Sequence, residues 1–175
     1  MIISVTDVKN FLSGISSTST DNDITVLIGQ NQRKAEKYVG YAFETASVDE
    51  VLKLENTDIL KLNNLPVNSI TAIKDLDNNT LDVSVIDICN DTKKTGVFTL
   101  SKVLNQRIKV EYSAGYASNA APDDLKQAVI KLVAADLLQG KTLNSMDESQ
   151  ANAYTPASFR KSAYDILDEY KIWSI

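Results

Sequence analysis

The sequence of 175 residues contains no histidine, one cysteine, one tryptophan and three prolines. Without histidine there is no Ser-His-Asp or Cys-His triad, no His-ligated zinc and no general base of the commonest kind at neutral pH. The lone Cys89 has no partner for an internal disulfide. It sits in the apolar stretch Val85-Ile86-Asp87-Ile88-Cys89 and reads as a buried, inert thiol. No apolar run approaches the ~20 residues that span a bilayer. The opening Met1-Ile2-Ile3-Ser4-Val5-Thr6-Asp7 has neither a basic n-region nor a long hydrophobic h-region, so no secretory signal is expected and the chain is expected to fold in the cytoplasm. Positive charge is also in deficit, with 18 Lys and Arg against 23 Asp and Glu, a net charge of −5. Phosphate binding relies on Lys and Arg, so the chain as a whole has no electrostatic attraction to nucleic acid. The clusters Arg33-Lys34 with Lys37, and Arg160-Lys161, read as solvated helix faces.

What is present suits one soluble domain, or one domain carrying a small insertion. The chain is 43% hydrophobic, enough for a real core, and 23% charged. A short helix is expected over residues 7–12, with Thr6 as N-cap and Gly14 as the stop. The run Ser16-Ser17-Thr18-Ser19-Thr20 reads as a loop. Thr20 and Asp23 have capping-box spacing, and a second helix follows to about Val39. Its apolar positions Ile24, Leu27, Ile28, Ala35 and Tyr38 recur at helical spacing, interrupted by Asn31, and Gly40 can end it in the left-handed conformation. β-prone runs come next, over residues 58–62, 69–76, 81–88 and 96–100. Asp77-Asn78-Asn79-Thr80 is turn-forming. In residues 107–113, Ile108, Val110 and Tyr112 alternate with Arg107, Lys109, Glu111 and Ser113, the pattern of a half-buried antiparallel strand. Pro122 and Asp123-Asp124 suit a helix start. Leu125, Ala128, Val129, Leu132, Val133, Ala135 and Leu137 form a broad apolar face, which predicts a buried helix. Gly140 can stop it. Residues 141–154 are polar and read as a linker, and Thr155-Pro156 starts a last helix with Phe159, Ala163, Ile166, Leu167 and Tyr170 on one face.

Short motifs with chemical associations fail on context. Gly140-Lys141-Thr142 ends like a phosphate-binding loop, but Ala135 stands where the motif needs glycine and a helix, not a strand, precedes it. Ser158-Phe159-Arg160-Lys161 and Lys94-Thr95-Gly96 match fragments of penicillin-binding enzymes in reversed order, in a chain short for that fold. Asp75-Leu76-Asp77-Asn78-Asn79 begins like a calcium loop, yet Thr80 and Ile86 occupy the positions of its glycine and bidentate glutamate, so it reads as a hairpin turn. Asp123 and Asp124 are adjacent, which points their carboxylates at different azimuths of a helix and makes poor geometry for paired acid–base work. Asn78-Asn79-Thr80 and Asn90-Asp91-Thr92 fit the glycosylation pattern and carry no further meaning without secretion.

Four segments in order resemble the phage head–tail connector family, the adaptor or head completion proteins that sit beneath the portal ring. Ile3-Ser4-Val5-Thr6-Asp7-Val8-Lys9-Asn10-Phe11-Leu12 resembles the family's first helix. Asp21-Asn22-Asp23-Ile24-Thr25-Val26-Leu27-Ile28 and Tyr38-Val39-Gly40-Tyr41-Ala42-Phe43 resemble the two ends of its second. Leu65-Pro66-Val67-Asn68-Ser69-Ile70-Thr71-Ala72-Ile73 is similar to its P-V-x-S-I strand start. The most specific likeness is Val110-Glu111-Tyr112-Ser113-Ala114-Gly115-Tyr116, followed by Ala121-Pro122-Asp123-Asp124-Leu125-Lys126-Gln127-Ala128. The likeness covers roughly residues 3–140. It departs at Tyr41, where the family often has arginine. Physically the signature is a strand-to-helix joint: small Ala114-Gly115 allow a change of direction, and the Tyr116 ring covers it.

The expected fold is α+β, mainly helical: a helical bundle from both chain ends with a β-rich insertion in the middle. The expected connector domain is 1–140, with helices at about 6–40 and 122–139 and the insertion at about 58–113. A linker (141–154) and a C-terminal helix (155–175) follow. The resemblance implies a structural head-to-tail subunit of a tailed phage or prophage, placed in the virion, with no enzyme activity and no cofactor. The lack of histidine, the lone cysteine and the failed calcium loop lead to the expectation of no metal. It also implies a twelvefold ring of identical subunits, a portal protein above, a stopper or tail component below, and DNA passing through the lumen without specific binding. No membrane is expected as a partner. Rival readings are a small cytoplasmic hydrolase using Asp75, Asp77 and Asp87, and a DNA-packaging accessory protein that the acid balance disfavours. The apolar chain end Tyr170-Lys171-Ile172-Trp173-Ser174-Ile175 suggests an anchor for a partner, because Trp and Tyr are enriched at binding hot spots. The candidate partner-binding residues are Phe159, Ile166, Tyr170, Ile172, Trp173 and Ile175.

Overall fold

The computed structural model describes residues 1–12, 20–86, 94–118, 120–139 and 155–172. In chain order the elements are helices α1 (Val5–Phe11) and α2 (Asp21–Val39), strands β1 (Ala46–Lys53), β2 (Thr57–Lys61), β3 (Val67–Lys74), β4 (Val97–Leu104) and β5 (Arg107–Ala114), and helices α3 (Asp123–Gln139) and α4 (Pro156–Asp168). The chain divides into two compact units, residues 1–40 with 118–175, and residues 41–117.

The first unit is helical. Two reciprocal capping boxes start its first helices. At α1 the N-cap is Ser4, not Thr6: Asp7 N donates to Ser4 Oγ (3.2 Å), and Ser4 N donates to Asp7 Oδ2 (2.7 Å). At α2, Asp23 N donates to Thr20 Oγ1 (3.2 Å) and Thr20 N to Asp23 Oδ2 (3.1 Å). Gly40 ends α2 at φ 101°, with its N–H on the Glu36 carbonyl. Burial on α3 is nearly all round, including Leu125, Ala128, Val129, Leu132, Val133 and Ala135, as expected of a helix with neighbours on several sides. α4 buries Phe159, Ala163 and Leu167. Its start is capped by Thr155 and Ser158.

In the second unit β5 is the central strand of a three-stranded antiparallel sheet, with β1 and β3 on either side. Its pairing with β1 is unbroken from Ala46↔Ala114 to Lys53↔Arg107, whereas β3 pairs with register shifts. β2 and β4 form a second antiparallel pair. Leu60, Leu62, Val67, Phe98, Leu100, Ile108, Val110 and Tyr112 make one core. On β5 the buried residues are Ile108, Val110 and Tyr112, as the alternation predicts, together with Ala114. The turn at 75–79 is built by Asp75, whose Oδ1 accepts from Asp77 N (2.9 Å) and Asn79 N (2.8 Å), with Asn78 at φ 64°.

The expected fold class is corrected. Among the described residues the chain is α+β with four helices and five strands, 41% helix and 29% strand, and its sheets are antiparallel; it is not mainly helical. Much of the unforeseen strand is β1, whose residues Ala46–Lys53 are mostly exposed. Their amphipathic pattern is weak, and pairing with β5 makes them a strand. Conversely, the run expected over 81–88 contributes only the isolated bridge Val85↔Leu100 and no strand among the described residues. Residues 16–19 of the expected loop, together with Gly14, Asp87, Cys89, Asn90-Asp91-Thr92, Gly140, the whole linker 141–154, Trp173 and Ile175, lie outside the described residues.

Candidate functional site

The candidate residues of the last helix divide by position. Phe159 is buried, its ring edge-on to Phe11 of α1 at 5.6 Å. Ile166 is half-buried. Tyr170 is half-buried, and its hydroxyl donates to Asp124 Oδ1 at 2.6 Å. Ile172 donates its backbone N–H to the Val39 carbonyl (3.3 Å). Four of the six residues proposed from the sequence therefore have partners or packing in their own helical unit, and Trp173 and Ile175 are not described.

Sequence reasoning missed the polar junction that ties three helices. Asp136 of α3 accepts from Asn31 Nδ2 (3.0 Å) and Lys34 Nζ (3.0 Å) of α2, and from an Arg160 guanidinium nitrogen (2.9 Å) of α4. Asn31, which interrupts the apolar pattern of α2, is 1% exposed. Its amide also donates to the Leu27 carbonyl (3.0 Å). Burial alone would push the Asp136 carboxyl up. The bonds from Arg160, Asn31 and Lys34 more than reverse this and hold it below the usual carboxylate value. Lys34 and Arg160, read from the sequence as parts of solvated basic faces, are paired here, and Lys34 remains exposed, as do Arg33 and Lys161. A second set of contacts holds α4. Tyr38 OH donates to Asp168 (2.6 Å), Lys131 Nζ donates to Ser162 Oγ (2.8 Å), and the Lys171 ammonium lies 4.4 Å from the Tyr38 ring centroid.

The signature segment closes the strand unit. Gly115 sits at φ 102°, and a Cβ there would collide with the Glu44 carbonyl. Its N–H donates to the Pro66 carbonyl (2.9 Å), and its own carbonyl accepts from Asn68 Nδ2 (2.8 Å). Tyr116 N donates to Phe43 O (2.7 Å), and Thr45 N donates to Tyr116 O (3.1 Å). One glycine and its neighbour thus join the segments leading into β1 and β3. Tyr41 is 6% exposed and stacks edge-on against Phe43 at 5.9 Å. Burial, then the adjacent Tyr116, raises its hydroxyl pKa. Tyr112 OH donates to Glu50 Oε2 (2.6 Å) and accepts from Asn64. Burial and the Glu50 carboxylate push it up to about 12. This geometry is that of packed, hydrogen-bonded joints.

The family model for head completion protein matches residues 1–171. The chain belongs to the head completion protein family. It is a structural head-to-tail adaptor subunit, the role that the four sequence segments implied. No curated protein matches the chain in sequence. Solved structures with a similar fold come from gene transfer agent (GTA) particles. One belongs to the neck of an empty GTA particle computed with C6 symmetry, with TM-score 0.66, 14% identity, and coverage of 99% of this chain and 91% of that one. Another belongs to the virion of the native particle, with TM-score 0.64, 14% identity and coverage of 99% and 91%. A third belongs to the neck of the native particle computed with C12 symmetry, with TM-score 0.62, 14% identity and coverage of 98% and 89%. At this identity the likeness is one of fold.

Proposed function

We propose that this head completion protein works as a ring of identical subunits at the head-to-tail junction of a virion, with a portal protein above, a stopper or tail component below, and DNA passing through the lumen. The observation that carries this reading is the family match over residues 1–171. Fold likeness to neck chains of particles computed with C6 and C12 symmetry supports the ring. Twelve is the copy number expected. The subunit would fold in the host cytoplasm before joining the virion.

The same reading assigns the chain no reaction. Of the carboxylates available to a hydrolase, Asp75 is committed to its own turn: Asn79, through side chain and backbone, lowers its pKa, so it is a poor proton donor or acceptor near neutral pH. Ile166, Tyr170 and Ile172, with Trp173 and Ile175, are the residues of the last segment that we assign to portal or neighbour contact. Phe159 anchors that segment to its own unit.

Coexpression with the cognate portal protein tests the reading. The expected result is copurification of a complex whose native mass fits a ring of subunits on the portal. Absence of the chain from purified portal, under conditions where both are folded, overturns it.

A further inference from the structure

We draw no further inference here: the strongest candidate, the exposed β-branched face of the β2–β4 sheet, where Ile59 is 53%, Val97 39% and Val103 63% exposed with Ile86 at 66% alongside, carries nothing because nothing in the structure shows what covers it.

Discussion

Asp136 gathers donors from two other helices onto one carboxylate. A folded-state pKa held below the unfolded value contributes stability that is present above the unfolded value and lost as pH falls through the folded one. Asp136→Asn should therefore cost about 1.5–3 kcal/mol at pH 7, the range for hydrogen bonds to charged groups. The gap from the unaltered chain should close as pH drops below the ordinary carboxylate range. Urea midpoints at pH 7 and pH 3 check this, and a gap that widens in acid contradicts it. Glycines give a paired prediction. Gly115→Ala forces a Cβ onto the Glu44 carbonyl at positive φ and should cost at least about 1–3 kcal/mol. Gly29, within α2, has no atom within 4 Å of a built Cβ. Gly29→Ala should stabilise by about 0.5–1 kcal/mol through helix propensity. Thermal midpoints moving in opposite directions are the expected result. At this scale the sequence disclosed the Thr20–Asp23 box and the αL glycine at 40, because their signals are local. It concealed the role of Asn31, since a lone Asn on an apolar face gives no sign of the Asp that meets it 105 residues later.

Among the elements, α3 carries the most burial. Leu132, 3% exposed, faces the interior. Leu132→Asp should place an unpaired charge there and lower stability by several kcal/mol, roughly the cost of burying an unpaired charge. An unchanged melting temperature would show the face misassigned. α4 poses a sharper question. Removing residues 151–175 deletes Phe159, Ala163 and Leu167 from the helical unit together with the Arg160–Asp136 pair. If the helix mainly completes its own unit, thermal unfolding of the truncated chain broadens or shifts sharply downward. If it mainly serves a partner, the chain melts nearly as before and portal copurification is lost. The buried side chains argue for a large thermal effect, so the cleaner test of partner contact is Trp173→Ala with Ile175→Ala in the full chain. Portal binding should weaken while the melting temperature holds. Legibility differed between element types. Helices were read from period and caps, with errors of a residue or two at most of their ends, but the last helix, expected over 155–175, stops at Asp168. β1 was not read at all, because its register depends on β5, more than fifty positions downstream. A strand that is a strand by virtue of its neighbour has little pattern of its own.

For the molecule as a whole, the family and the order of parts were legible, and the balance of helix and strand was not. If the proposed ring passes DNA through its lumen, it should not hold it. The net charge of −5 leads to the expectation that assembled rings do not retain duplex DNA at physiological salt. Retention in a shift assay, abolished by higher salt, would locate a basic lumen that net charge hides. The division of the chain has one more consequence, for synthesis. The strand unit is continuous, residues 41–117, but the helical unit is split between 1–40 and 118–175. As the ribosome emits the chain, α1 and α2 appear first, and the apolar side of α2 has no α3 to close on until the strands have been made. Everything needed for the β5-centred sheet is present before residue 118 is added. The order of folding should thus invert the order of translation, with the interior strands set before the leading helices, which wait capped at Ser4 and Thr20. Protease challenge of ribosome-stalled chains would expose that order: a stall with residue 117 just clear of the exit tunnel should protect the strands and leave α2 open to cleavage.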